Sequence, residues 1–472
     1  MFKQTLKLLA WIFGVIAALI IAVYLLFLIV NLHDQPPSEL AKNFESNYSN
    51  RIKIPDQDNA FVYVMGLSVA QDEDPQAWGI KRIALIAHAT DEEIGNLNNN
   101  SIMQDYLYQN IRNPEFKKIS SILQTPVDEQ CFTTLENNKN IIAEWTNAEA
   151  WLLNRYLKLL SYHQYQEKAM TDPTMPLPNY AAIMDAQKLF FANLWLQAEQ
   201  GNVKNVQSLM EQDLAYWRMA SASSDMLISK MVTVAALKRH FSFGNLVLKK
   251  LSMKDNANAI PKSWRLPFTK TELSMSQTLT AEWIFQDRIF KKIKQKPDAY
   301  FYDSFYHGKA YWFANLALPF LQTQETSNQQ AIYFKKIVDG LDVSLGEYID
   351  AVSDLEDEYE EEKELSSGKL KFHIYNATGK YLISLGETEY GSNVYVSYSS
   401  RVTDLEGARQ AAVLTSELRN QSLPADAVPD YIKKSAYHNP YTLKPFEWDS
   451  ESKAVKFTGL EAGERGSYSF VY

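Results

Sequence analysis

The sequence predicts a mainly α-helical protein behind a single amino-terminal transmembrane helix, with a helical-hairpin body and a small carboxyl-terminal α+β unit ending in an antiparallel meander. Three observations carry that expectation. Leu8 to Val30 is an unbroken run of 23 uncharged, mostly apolar residues, enough for a helix to cross a hydrocarbon core of about 30 Å. From about residue 140 to 360, apolar residues return at steps of three and four, the period of a helix face. From Phe446 onward the pattern becomes alternating and is broken by Asp- and Gly-containing turns, as in short strands.

The apolar run has no polar face, so it reads as a membrane helix and not as a buried core helix. Lys3 and Lys7 precede it, whereas Asp34 and Glu39 follow before Lys42. This bias puts the amino terminus in the cytoplasm and the remainder outside, in the periplasm of a Gram-negative cell. A secretory signal has an apolar core of about 7 to 15 residues and a small-residue cleavage site. Here the run is longer, and Asn31 to Pro37 offers neither Ala-x-Ala nor a lipoprotein cysteine, so a retained signal anchor is expected. The expected organisation is 1–31, cytoplasmic start and anchor; 32–58, a polar tether around Pro36-Pro37; 59–365, the helical body; and 369–472, the carboxyl-terminal unit.

Within the body, Phe61 to Leu67 is a short apolar run compatible with strand or helix. Trp145, Ala148, Leu152, Tyr156, Leu159 and His163 share one helical face, which makes His163 an expected core histidine. Tyr180, Ile183, Gln187, Phe190, Leu194 and Trp195 mark a second helix, closed by Gly201-Asn202. Val206, Leu209, Met210, Leu214 and Trp217 mark a third. A fourth starts near Ser224-Asp225, its expected caps, and runs through Ile228, Met231, Val232, Ala235 and beyond. The short connections make these helices antiparallel neighbours. Ala198 to Leu214 is similar to the turn of tetratricopeptide repeats, but no second copy follows at about 34 residues, so an array is not expected.

Thr280 to Lys296 and Ala310 to Leu321 are further helical segments; the second is too short to span a membrane and contains Pro319. Leu341, Leu345, Tyr348, Val352, Leu355 and Tyr359 form a heptad-like seam. Ser366-Ser367-Gly368 then makes an internal boundary. Beyond it come a turn at Asn376 to Gly379, a helix over Val402 to Leu418, and strands at 446–448, 454–457 and 468–472.

Composition narrows the function more than any motif does. The net charge of −9 resides mostly in Asp354 to Glu364, where eight acids face Lys363 alone. The rest is nearly neutral and lacks the basic face that nucleic acid requires. The acidic tract reads as the solvated end of a helix, since a calcium site needs its carboxylates on a Gly-containing loop. The single cysteine, Cys131, excludes an intramolecular disulfide and reads as a buried, inert thiol.

No G-x-S-x-G, H-E-x-x-H, P-loop or dinucleotide fingerprint is present. The seven histidines lack metal-ligand spacing. His88 beside Asp91, Glu92 and Glu93 is explained by an acidic helix start. Catalytic residues therefore stay unknown, and no cofactor or metal site is expected.

Asp58-Asn59-Ala60, Met65-Gly66-Leu67, Asp74-Pro75, the run Leu227 to Val232, and Asn439-Pro440-Tyr441-Thr442 with Lys444-Pro445-Phe446 resemble stretches of single-span, inner-membrane-anchored periplasmic proteins of Gram-negative bacteria. That grouping carries no known activity. It implies a periplasmic body and no catalytic residue. The expected function is that of an interaction or scaffold protein of the cell envelope, held by one helix in the lipid bilayer and meeting an envelope protein partner. The alternative is an envelope hydrolase of peptidoglycan or peptide whose active site leaves no local motif.

Overall fold

In the computed structural model the apolar run lies inside one helix, Phe2–Val30. The structure describes residues 2–106, 112–123, 127–167, 172–252, 259–297, 315–367, 374–387, 394–421, 423–424, 426–461 and 463–472. Among the described residues it is 72% helical, with 19 α-helices and a small antiparallel three-stranded sheet at the carboxyl end. Among the described residues, Lys7–Val30 is the one stretch long and apolar enough to cross a membrane, and none of it is buried in the protein. Contacts divide the chain into two units, both discontinuous in sequence.

The first unit comprises Met1–Asn50, Trp283–Gly340 and Ala351–Val394. The segment expected to be a tether is folded here. Helix Glu39–Ser49, capped by the Ser38 hydroxyl, buries Ala41 and Phe44, and the Phe44 ring lies 5.6 Å from that of Trp283. Asn31 is 6% exposed. Its Nδ2 donates to Ile374 O at 2.8 Å, and its Oδ1 accepts from Asn376 N at 2.8 Å. Asp34 accepts the Gln324 and Glu325 amides at 2.9 and 3.0 Å, the free amides opening helix Thr323–Gly340. Tyr24 and Phe27 both meet Phe320 edge-on at 5.4 Å. Polar side chains with remote partners thus order a stretch whose composition resembles a linker.

The second unit comprises Arg51–Glu282, Leu341–Asp350 and Tyr395–Tyr472. The ambiguous run at 61–67 is helical: Ala60–Gly66 is buried throughout and starts at an Asn59 cap. Its exit is held by Arg155, whose guanidinium donates to the carbonyls of Leu67, Val69, Ala70 and Glu73. The helix expected over 145–163 is two helices, Lys139–Ala148 and Ala150–Leu159, joined at buried Glu149. His163 lies past the second and is exposed, which corrects the expected core histidine. Tyr180–Glu199 and Val203–Ser223 follow as expected, and Gly201 between them has φ +71°, a conformation that favours glycine.

Helix Leu227–Ser252 forms as expected, and Ile228, Met231, Val232 and Ala235 lie on its less buried face. Val234, Ala236, Leu237 and Phe241 are buried, whereas Ile228 is 45% exposed and Ala235 is exposed. Apolar residues occupy most of its circumference, so periodicity alone does not fix which face is buried.

The terminal strands form at β1 Glu447–Asp449, β2 Ala454–Thr458 and β3 Ser467–Val471, in the order β1-β2-β3. They belong to the same unit as residues 51–282 and share its core. Gly407 of helix Val394–Gln421 receives the Phe457 ring so closely that a Cβ would lie 2.1 Å from it. Arg419 donates to Asn245 Oδ1 at 2.6 Å and to Val471 O. The expected boundary falls at the edge of 368–373, outside the described residues.

The expected seam is also modified. Leu345 sits in a 3-10 turn, and the helix begins only at Tyr348. Tyr348 and Leu355 are the buried members, at 1% and 7% exposure, while Leu345 and Val352 are half-exposed. The tighter turn shifts the phase, and Tyr348 and Leu355 belong to different units.

Candidate functional site

Helix Leu227–Ser252 organises three groups of polar side chains in the second unit. At its start, the Asp225 and Met226 amides donate to Glu167 Oε2 at 3.0 and 2.8 Å, and the Leu227 amide donates to Glu282 Oε1 at 3.1 Å. Two carboxyl groups remote in sequence therefore take the place of a local cap. Tyr165 donates to the other Glu167 oxygen. Burial, then the nearby Asp225, pushes Glu167 up to about 7, and burial pushes Glu282 up to about 7. Asp225 is also raised by burial, against the pull of Arg51, which grips it through two bonds of 2.5 and 2.9 Å. One turn along, buried Lys230 donates to Ser221 O at 2.6 Å and Glu272 O at 3.0 Å, and burial brings it down to about 7.

In the middle of the helix, His240 and Asp213 are both fully buried. The imidazole Nδ1 lies 2.6 Å from Asp213 Oδ2, and its Nε2 accepts the Trp264 indole N–H at 2.7 Å. Because Nε2 is an acceptor, the ring hydrogen sits on Nδ1 and is donated to Asp213. Tyr156 donates to Asp213 Oδ1 at 2.5 Å and receives the Trp217 indole at 2.8 Å. The pair resembles the base and orienter of a hydrolase. Here the nitrogen that would take a proton from a nucleophile is already bonded to tryptophan.

The third group lines a cavity of about 310 Å³. Met231, Val234, Ala235, Lys238, Arg239 and Ser242 recur along one helix face and form one wall. Arg401, Glu461, Arg465, Ser467, Tyr468 and Ser469 supply the rest of its polar lining. Lys238 Nζ donates to Glu461 Oε2 at 3.1 Å and Arg465 O at 2.7 Å, and lies 4.7 Å over the Tyr468 ring. Arg401 Nε is 2.9 Å from Glu461 Oε1. Arg239 turns toward the body, donating to Met184 O and Gln187 Oε1 at 3.1 Å each. Tyr468 is 5% exposed, and among the described residues its hydroxyl has no hydrogen-bond partner.

No protein-family model, curated protein or solved structure matches the chain.

The remaining sequence candidates stay apart. Cys131 is half-buried, burial raises its thiol to about 11, and among the described residues no bond joins it to a histidine. The acids near His88 start helix Asp91–Ile94, where Thr90 and Glu93 cap one another. Asn439 Oδ1 accepts the Tyr441 and Thr442 amides, so that motif is a turn, and the Tyr441 hydroxyl donates to buried Asp404 at 2.8 Å. Among the described residues no three His, Cys, Asp or Glu side chains gather as a metal site. The cavity and the Asp213–His240 pair were missed by sequence reasoning. Their one local trace is Lys230, Lys238, Arg239 and His240 set among the apolar residues of the first half of this helix.

Proposed function

We propose that the chain is a single-span membrane protein with its amino terminus in the cytoplasm and its folded body in the periplasm, acting as an interaction or scaffold protein of the cell envelope. The observation that carries the reading is the helix Phe2–Val30, uncharged from Leu8 onward and unburied over Lys7–Val30, followed directly by a folded segment in which Asn31 and Asp34 bond to remote residues. Lys3 and Lys7 in the first turns of the helix, ahead of its uncharged run, with Asp34 and Glu39 behind it, support the orientation. The resemblance to single-span envelope proteins supports the compartment.

Binding is favoured over catalysis because the polar groups suited to chemistry are already engaged. His240 is bonded at both nitrogens. Glu167 and Glu282, held near 7 where a general acid works, accept backbone amides and do not line the cavity. Those two carboxyl groups are also what favours the hydrolase alternative. Peptidoglycan or peptide cleavage by the full-length protein, lost in Glu167→Gln, would decide for that alternative.

A reporter active only in the periplasm, fused after Tyr472, should be active, and the membrane fraction should contain the chain with residues 1–30 intact. A silent periplasmic fusion with an active cytoplasmic one would overturn the orientation. Release of a shortened chain into the soluble fraction would overturn the anchor.

A further inference from the structure

We propose that the cavity beside helix Leu227–Ser252 binds an organic phosphate monoester. Its lining includes four cations, Lys238, Arg239, Arg401 and Arg465, and one carboxylate, Glu461; the Arg239 guanidinium already donates to Met184 O and Gln187 Oε1. Two more acids lie behind the wall. Asp213 is linked to Arg239 through Gln187, and Asp404 accepts the Leu460 and Glu461 amides at 2.8 and 3.2 Å. These acids offset part of the positive charge and leave an excess facing the cavity, the condition for holding an anion.

The donors select the anion. Lys238 spends two of its three hydrogens, on Glu461 and Arg465 O. Arg401 Nε lies 2.9 Å from Glu461 Oε1 without a hydrogen bond to it, and its guanidinium stacks 4.8 Å over the Tyr398 ring, which leaves the edge of the guanidinium able to donate. The Arg465 side chain is exposed and pairs with no described acid. Tyr468 adds a hydroxyl without a hydrogen-bond partner among the described residues, on a side chain that is otherwise buried, and a buried polar group without a partner is costly unless a ligand satisfies it. Four separate donor groups suit the three peripheral oxygens of a phosphate better than the two of a carboxylate.

The volume and the apolar wall point to an esterified phosphate. About 310 Å³ is at the small end of organic-ligand sites and more than bare phosphate fills. Val127, Met231 and Val234 form an uncharged side against which a short carbon chain can rest. The phosphate could belong to a soluble metabolite or to a lipid headgroup; the chemistry of recognition is the same.

Calorimetric titration of the full-length protein in a phosphate-free detergent tests the proposal, with glycerol 3-phosphate as the probe and glycerate and chloride as controls at matched ionic strength. Glycerol 3-phosphate should bind saturably and both controls should fail. Arg465→Gln, which breaks no described ion pair, and Tyr468→Phe, which keeps the ring, should each weaken binding by about tenfold while melting like the parent. Competition by phosphatidic acid in the same micelles would assign the lipid form, and its absence the soluble form. The proposal is overturned if glycerol 3-phosphate gives no saturable heat, if glycerate binds equally well, or if both variants bind as the parent does.

Discussion

Replacing Glu167 with Gln sets two effects against each other at one buried carboxyl. Glu167 is 1% exposed, and burial, reinforced by Asp225, takes it from 4.5 to about 7. Its folded value lies above its unfolded one, so between those values the folded protein holds the extra proton. The stabilisation is complete below about pH 4.5, declines as pH rises, and is gone above about pH 7. At 1.36 kcal/mol per pH unit the interval amounts to about 3 kcal/mol.

Gln is uncharged throughout and keeps an oxygen for the Asp225 and Met226 amides. The variant should therefore match the parent near pH 4.5 and exceed it by about 3 kcal/mol near pH 8, which for a unit of this size is about 4 °C in melting temperature. Glu282, raised to about 7, and Lys230, lowered to about 7, tilt both proteins alike and cancel in the difference. Thermal melts of parent and variant, full-length in detergent at the two pH values, give the readout. If the variant is the less stable protein near pH 8, the charged carboxylate is worth more as a helix cap, about 0.3 to 2 kcal/mol, than its burial costs, and the reasoning fails.

Trp264→Phe removes the indole donor to His240 Nε2 and leaves a buried acceptor unmet; a loss of about 1–3 kcal/mol is expected in chemical denaturation, and an unchanged midpoint would show that the bond contributes nothing. Asn31→Ala strips the partners from Ile374 O and Asn376 N; new protease cleavage within 31–38 of the detergent-solubilised chain is expected, and protection equal to the parent's would mean that Asp34 and Ser38 hold the segment without it.

The features legible in the sequence are those in which neighbours along the chain share one environment. Tyr468 and Phe470, two apart on β3, share one face and are both buried, at 5% and 1% exposure, while Ser467 and Ser469 beside and between them are more exposed. Gly201 closes a helix by a conformation that its residue type announces. What stayed hidden depends on partners far away. Asn31 and Asp34 have a linker's composition, and only the carbonyls and amides of residues 322–376 make them structural. His240 carries no spacing signal, because Asp213 and Trp264 reach it from other segments. The cavity was obscured for a third reason. On helix Leu227–Ser252 the apolar stripe through Met231 and Ala235 looks like core, yet it serves as the uncharged wall of a basic pocket.

The fastening of the apolar helix to the first unit also bears on how the protein would meet bilayers of different thickness. Lys7–Val30 has 24 residues, about 36 Å at 1.5 Å per residue, against a hydrocarbon core of about 30 Å. A helix on a loose linker absorbs such an excess by leaning, here by roughly 30°. With Tyr24 and Phe27 packed on Phe320 and Asn31 bonded into the fold, this one cannot lean without carrying the first unit with it. The attitude of that unit toward the lipid surface would then change with membrane thickness, so lipid composition becomes a variable that reorients whatever face the unit offers to a partner.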